Sequence, residues 1–182
     1  MPDDEQIMTQ VGAGRVEMLA ILFERHHVRL FNFFLRLTAD RPLSEDLTQE
    51  VFLRILKYRQ SYRGESKFST WMYQIARNLH IDQLRSRRPE TPMDDLYEEC
   101  PSQQPCPAEK AETGQDADLL ARALERLPLR KREILLLSRF QNLKYAEIAS
   151  LLACSVESVK VQVHRSLKDL RRHYLELQGG TQ

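Results

Sequence analysis

The 182-residue chain contains no apolar run of about 18 residues, so a membrane-spanning helix is not expected. Its three cysteines, Cys100, Cys106 and Cys154, are an odd number without a Cys-x-x-Cys pair, which argues against a disulfide framework. Cys100 and Cys106 have no neighbouring histidine, so neither marks a metal site. No phosphate-binding loop, dinucleotide fingerprint, His-Glu-x-x-His or Ser-His-Asp order is present, so catalysis and a bound cofactor are not expected. His26 and His27 point in different directions on a helix and read as surface residues rather than ligands. The opening MPDDEQIMTQ is acidic and polar, unlike a secretory signal, and a reducing cytoplasm is the expected compartment. No alternating run suits a strand, and there is no internal repeat.

What is present is charge, strongly segregated. Residues 1–89 carry 14 basic and 11 acidic side chains, residues 90–118 carry 1 and 9, and residues 119–182 carry 12 and 6. A net charge of +1 therefore conceals two basic-leaning blocks around an acidic one, a distribution that suits a nucleic-acid binder.

Apolar periodicity is helical throughout. Leu19, Leu22, Phe23, Leu30, Phe33, Phe34 and Leu37 predict one helix over about 16–37, which Ala39 to Pro42 breaks. Ser44 reads as the cap of a second helix with Glu45 and Asp46 in its first turn, burying Leu47, Val51, Phe52 and Ile55. A third helix is expected from about Ser69 to Pro89. The next segment is rich in proline and acids and reads as a linker. Helix returns at 117–127 and, after Pro128, at 129–140. The fold expected is all-α: a flexible amino terminus (1–15), a helical domain (16–89), a flexible acidic linker (90–116), a second helical domain (117–175) and a flexible tail (176–182).

The second domain ends in YAEIASLLACSVESVKVQVHRSLKDLRR, which reads as two helices around a tight turn. Ala149 is small where the helices cross, Ser155 can cap the second helix, and Val159 fills the angle between them. Val156, Val159, Val163, Leu167 and Leu170 share one face. Glu157, Lys160, Val161, His164, Arg165 and Lys168 share the other, where a helix in a major groove would offer them to bases and phosphates. An amphipathic hairpin in a plain bundle would leave that density of cations without a purpose. Val161 is positioned for a thymine methyl, and Glu157 can accept from cytosine N4.

In the first domain, Tyr58, Tyr62, Arg63, Lys67, Phe68, Trp71 and Tyr73 interleave rings with cations, as a surface for unpaired bases does. Phe68 and Trp71 also suit a core position, for Trp71 as readily as a base contact, whereas Tyr58, Tyr62 and Tyr73 have polar tips and are freer to face DNA.

The order DLTQEVFLRIL, YRGESKFSTWMYQIARN, LPLRKREILLLSRF and then the helix-turn-helix resembles bacterial RNA polymerase sigma factors. Within them it is most similar to the extracytoplasmic-function (ECF) group, which keeps regions 2 and 4 and a linker. The resemblance spans residues 16–88 and 118–173. It implies that Asp46, Gln49, Glu50 and Arg54 dock on the coiled coil of the largest core polymerase subunit. It places capture of a flipped −10 base at Tyr62, Arg63, Lys67, Phe68, Trp71 and Tyr73, with Arg77, Asn78 and His80 at the duplex edge. It assigns −35 reading to Ser155, Glu157, Ser158, Lys160, Val161, His164, Arg165 and Lys168. The partners implied are core polymerase, promoter DNA and an anti-sigma factor, with no insertion in a membrane. Against the family pattern, Ala153 replaces a glycine of the turn, Lys144 replaces a capping serine, and Glu157-Ser158 replaces a small residue and threonine. A free-standing repressor or activator with the same helix-turn-helix is the rival, and it leaves residues 46–73 without a role.

Overall fold

The computed structural model describes residues 2–87 and 115–179, and among these all regular structure is helical. The expected linker lies outside the described residues except for its last two positions, which already begin a helix; Cys100 and Cys106 also lie outside. The chain divides into two compact units, Met1–Phe34 with Pro42–Pro89, and Leu35–Arg41 with Glu90–Gln182.

The first unit opens on a helix where a flexible terminus was expected. Helix α1 (Asp4–Gly12) starts in a reciprocal capping box: Asp3 Oδ1 accepts from Gln6 N at 2.7 Å, and Gln6 Oε1 accepts from Asp3 N at 3.3 Å. Ile7, Met8 and Val11 are completely buried, so the helix is held by its apolar stripe. A 3₁₀ turn (Val16–Met18) leads into α2 (Leu19–Thr38). Leu22, Leu30, Phe33 and Phe34 of α2 are buried as expected, but Phe23 is partly exposed, stacked on His27 with centroids 4.7 Å apart. His26 is not a surface residue. It is buried, with Nε2 2.6 Å from Asp4 Oδ2, because α1 covers it.

Left-handed Ala39 (φ 54°) ends α2, and α3 (Arg41–Lys57) starts three residues before the expected cap. Ser44 is fully buried inside this helix, and Glu45 and Asp46 fall in its second turn. Pro42 is compatible with that earlier start because first-turn N–H groups have no helical partner to lose. Leu47, Val51, Phe52 and Ile55 form the buried stripe. After a 3₁₀ turn (Arg59–Ser61) and a loop, α4 (Phe68–Arg87) buries Phe68, Met72, Tyr73 and Ala76.

The second unit contains α5 (Gln115–Glu125), α6 (Leu129–Leu135) continuing as a π-helical turn (Leu136–Phe140), α7 (Tyr145–Leu152) and α8 (Val156–Gly179). Leu119 and Ala123 of α5 pack with Leu177 near the end of α8, flanked by Leu170 and Tyr174. That contact continues α8 through residues 176–179, which were expected to belong to a flexible tail. Tyr174 Oη donates to Asp116 Oδ1 at 3.0 Å, and Lys131 Nζ lies 2.7 Å from Asp169 Oδ2. The Lys131 hydrogen bond holds the Asp169 carboxyl below its ordinary range. Arg132 is fully buried, its guanidinium donating to the carbonyls of Glu125, the last residue of α5, and Leu127 just beyond it.

Ala153, between α7 and α8, is left-handed (φ 51°, ψ 46°), a conformation that strains every residue with a Cβ. Ala153→Gly is expected to stabilise the protein by about 0.5–1 kcal/mol, because relief of strain exceeds the added unfolded-state entropy. Urea titration of the two proteins checks this; an unchanged or lowered midpoint refutes it.

Candidate nucleic-acid interface

The turn before α8 is built by backbone geometry. Cys154 N donates to Ala149 O at 3.0 Å and Ala153 N to Ser150 O at 3.4 Å, the paired bonds of a Schellman ending. Ser155 Oγ then accepts from Ser158 N at 3.1 Å and caps α8. At the start of α7, Glu147 Oε2 accepts from Lys144 N at 2.7 Å. The Lys144 ammonium has no lone pair with which to reciprocate, so this end is half capped. Val159 and Val163 are buried with Ala149, Ile148 and Leu151, as the apolar stripe requires.

Glu157, Lys160, Val161, His164, Arg165 and Lys168 are all exposed on the opposite side. Val161 is 47% exposed in the middle of this face, so burial does not account for it. Lys160 Nζ lies 4.0 Å from Glu157 Oε1, a weak pair across solvent. Ser155 and Ser158 have internal work: the first is the cap, and the second accepts Gln162 Nε2 at 2.8 Å.

In the first unit, the loop between the Arg59–Ser61 turn and α4 reverses at left-handed Gly64 (φ 72°). Tyr62 Oη donates to Ser66 O at 2.7 Å and closes the loop on itself. The Tyr62 and Trp71 rings are half-buried with centroids 5.2 Å apart, and Arg63 and Lys67 are exposed beside them. Burial, followed by the charges of Glu5, Asp3 and Asp4, pushes the Tyr62 phenol up to about 12, so it remains a donor at neutral pH.

Two of the aromatic residues expected to face DNA are core. Phe68 is completely buried, tilted against His26, and Tyr73 is buried edge-on to Phe33 at 5.2 Å. Burial raises the Tyr73 phenol far above its ordinary range. Positions 68, 72, 73 and 76 share the inner face of α4, which overrides the polar tip of a tyrosine. His80 is buried as well, whereas Arg77 is half-buried and Asn78 is exposed, accepting Gln74 Nε2 at 3.1 Å.

On α3, Asp46 and Gln49 are exposed and Glu50 and Arg54 are half-buried. Arg54 is engaged within the unit: its Nε lies 3.1 Å from Glu50 Oε1 and its Nη1 3.3 Å from Asp82 Oδ2 on α4. Leu53, not singled out from the sequence, is 61% exposed, one turn from Gln49 and Glu50 and two turns from Asp46. The signal was there, since it departs from the 47-51-55 stripe and so has to face outward.

The Sigma-70 region 2 family model matches residues 22–90, and the Sigma-70 region 4 model matches residues 117–170. The ECF RNA polymerase sigma factor SigX of Bacillus subtilis is 30% identical, the match covering 86% of this chain and 84% of that one. The ECF sigma factor SigE of Mycolicibacterium smegmatis is 31% identical, over 93% of this chain and 68% of that one. The chain belongs to the ECF group of RNA polymerase sigma factors.

Two solved structures share the sigma-factor fold. CnrH, in complex with the cytosolic domain of CnrY, aligns with a TM-score of 0.67 at 20% identity, covering 93% of this chain and 95% of that one. The sigma factor RpoE of Bartonella quintana, in complex with the anti-sigma factor NepR, aligns with a TM-score of 0.68 at 21% identity, covering 85% and 94%. The region 2 match starts at Leu22, so helix α1 of this sigma factor lies ahead of it. No described helix is long and apolar enough to cross a membrane, and no described cluster of His, Cys, Asp or Glu is arranged to hold a metal ion.

Helix α1 is latched to the region 2 bundle by Asp4, which pairs with Arg25 at 2.7 Å and His26 at 2.6 Å. Burial raises the Asp4 carboxyl, but the hydrogen bonds and charges of Arg25 and His26 outweigh it and leave the group below its ordinary value. A lowered carboxyl contributes stability above its unfolded value, and that stability disappears as pH falls through the folded value. Asp4→Asn is therefore expected to destabilise the protein by about 1–2 kcal/mol at pH 7. The difference from wild type should shrink below about pH 4. Thermal melts across pH 3–7 check it; a constant difference contradicts the latch.

Proposed function

We propose that this sigma factor works as a two-point promoter clamp without covalent chemistry, in the cytoplasm. The exposed face of α3, with Asp46, Gln49, Glu50 and Leu53, docks on the coiled coil of the largest core polymerase subunit. The Tyr62–Trp71 loop takes an unpaired −10 base, with Arg63 and Lys67 holding phosphate and Arg77 and Asn78 at the duplex edge. Helix α8 reads the −35 duplex through Lys160, His164 and Arg165, modified by Glu157 and Val161. Joining the two units in one chain raises the effective concentration of the second contact once the first is made. Ring stacking in the loop offsets the few kcal/mol needed to unstack a base. An anti-sigma factor covering the polymerase and DNA faces completes this reading.

The observation that supports it best is the half-buried Tyr62–Trp71 pair with exposed cations beside it, in the same chain as a recognition helix. A self-sufficient duplex regulator has no use for that pair. Transcription with purified core polymerase on a promoter library decides between them. The clamp yields start-site-specific transcripts, and folded protein that yields none refutes it.

Docking has its own test. Asp46→Arg and Leu53→Asp should each weaken core polymerase binding at least tenfold, with helical content unchanged. Wild-type affinity in both variants removes α3 from the interface. On α8, Val161→Ser should lower the preference for thymine at one −35 position, measured by selection from a randomised library. An unchanged base profile rules out the methyl contact.

A further inference from the structure

We propose that helix α1 is a brace that sets the shape of the single-stranded-base loop, and that Glu5 is the positioning residue through which it acts. This rests on the reading of the Tyr62–Trp71 loop as a base pocket, and it adds a residue outside the segment matched as region 2.

The loop lies between the Arg59–Ser61 turn and the first residue of α4, and α1 meets both of its ends. At the far end, Glu5 Oε1 accepts the backbone N–H of Phe68 at 2.8 Å, from 63 residues earlier in the chain. That N–H belongs to the first turn of α4, where no helical acceptor exists. A carboxylate there also faces the positive end of the helix dipole. At the near end, Gly12 comes so close to the Arg59 carbonyl that an added Cβ would stand 3.2 Å from the oxygen. One rigid helix of nine residues thus fixes the distance between the loop's two anchors.

The brace is itself secured. Ile7, Met8 and Val11 are completely buried, and Asp4 is tied to Arg25 and His26. The His26 ring packs against Phe68 with centroids 5.2 Å apart, so the latch and the cap converge on the residue that begins α4. Trp71 follows Phe68 by one helical turn, and its ring meets Tyr62 across the loop. Movement of the Phe68 end therefore changes the separation of the two rings that would hold a base. The carboxylates of Asp3, Asp4 and Glu5 also act on the Tyr62 phenol, where negative charge disfavours a phosphate and leaves the ring to a base.

Trp71 is the only tryptophan of the chain, so it reports on the loop without DNA. Full-length wild type, Glu5→Ala and Glu5→Gln are compared by acrylamide quenching of Trp71, with circular dichroism as the check on folding. The same proteins, assembled with core polymerase, are titrated with labelled single-stranded DNA selected from a random pool by the wild-type holoenzyme. Glu5→Ala should expose Trp71 and weaken single-strand binding about fivefold, the loss of one helix cap, while core polymerase affinity stays at the wild-type level. Glu5→Gln keeps an acceptor oxygen and should restore both. Should Glu5→Ala fail to fold, Gly12→Ala, which presses on Arg59, takes its place in both assays with the same expectation. A folded variant in which Trp71 quenching or single-strand affinity is unchanged overturns the brace. If the wild-type holoenzyme selects no single-stranded DNA, the base-pocket reading fails instead, and Trp71 quenching still decides whether Glu5 positions the loop.

Discussion

The constraint on which both units depend is that one long helix in each serves the core and the proposed DNA face at once. Helix α4 buries Phe68, Met72, Tyr73 and Ala76 while carrying half-buried Trp71 and exposed Asn78 on other sides. Helix α8 buries Val159 and Val163 and keeps Lys160, His164 and Arg165 in solvent. Units this small have little apolar area to spare, so a core ring cannot turn outward to meet a base without unfolding its own support. The proposed interface is therefore composed of what the core leaves over. In the loop that is Tyr62 and Trp71; on α8 it is the charged face with Val161.

Because the helices are rods, their orientation is set at their ends, and those ends are fixed by polar chemistry rather than by apolar packing. The Schellman bonds at Ala153 and the Ser155 cap determine how α8 leaves α7. The Glu5 carboxylate does comparable work for α4 from a distant part of the chain. Each such contact is worth about 1 kcal/mol, small beside the core. Its geometric effect is larger, since a tilt at the first turn of a helix displaces every side chain farther along it. The left-handed alanine at position 153 shows the same priority: the turn is kept although an unstrained residue is not used.

Periodicity made most of the fold legible. The stripe 47-51-55 on α3 and the stripe 159-163 on α8 are buried as their spacing required, and the exposed cations of α8 follow from the same wheel. What could not be read depended on partners far away in sequence. His26 looks like a surface histidine until Asp4 lies against it, and Tyr73 looks free until Phe33 meets its ring. Ser44 has the chemistry of a cap, yet the helix passes through it because Pro42 already fits a first turn. Helix α1 was legible in the residues themselves: Asp3 and Gln6 form a capping box ahead of Ile7, Met8 and Val11, whose spacing is that of one buried helical face.

The proposed docking face of α3 shows how charge counting misleads. Glu50 is not a free carboxylate for a partner, because Arg54 already lies against it and also reaches Asp82. Half-exposed ion pairs of this kind contribute little in water, so the face is less acidic in effect than its sequence. Polar groups around its centre can orient a partner and speed encounter, but they supply modest affinity. Leu53 differs, because removing a leucine side chain from water is worth about 1.5–3 kcal/mol. Affinity on this surface should therefore come from the leucine, and the choice and orientation of the partner from Asp46, Gln49 and what remains of Glu50.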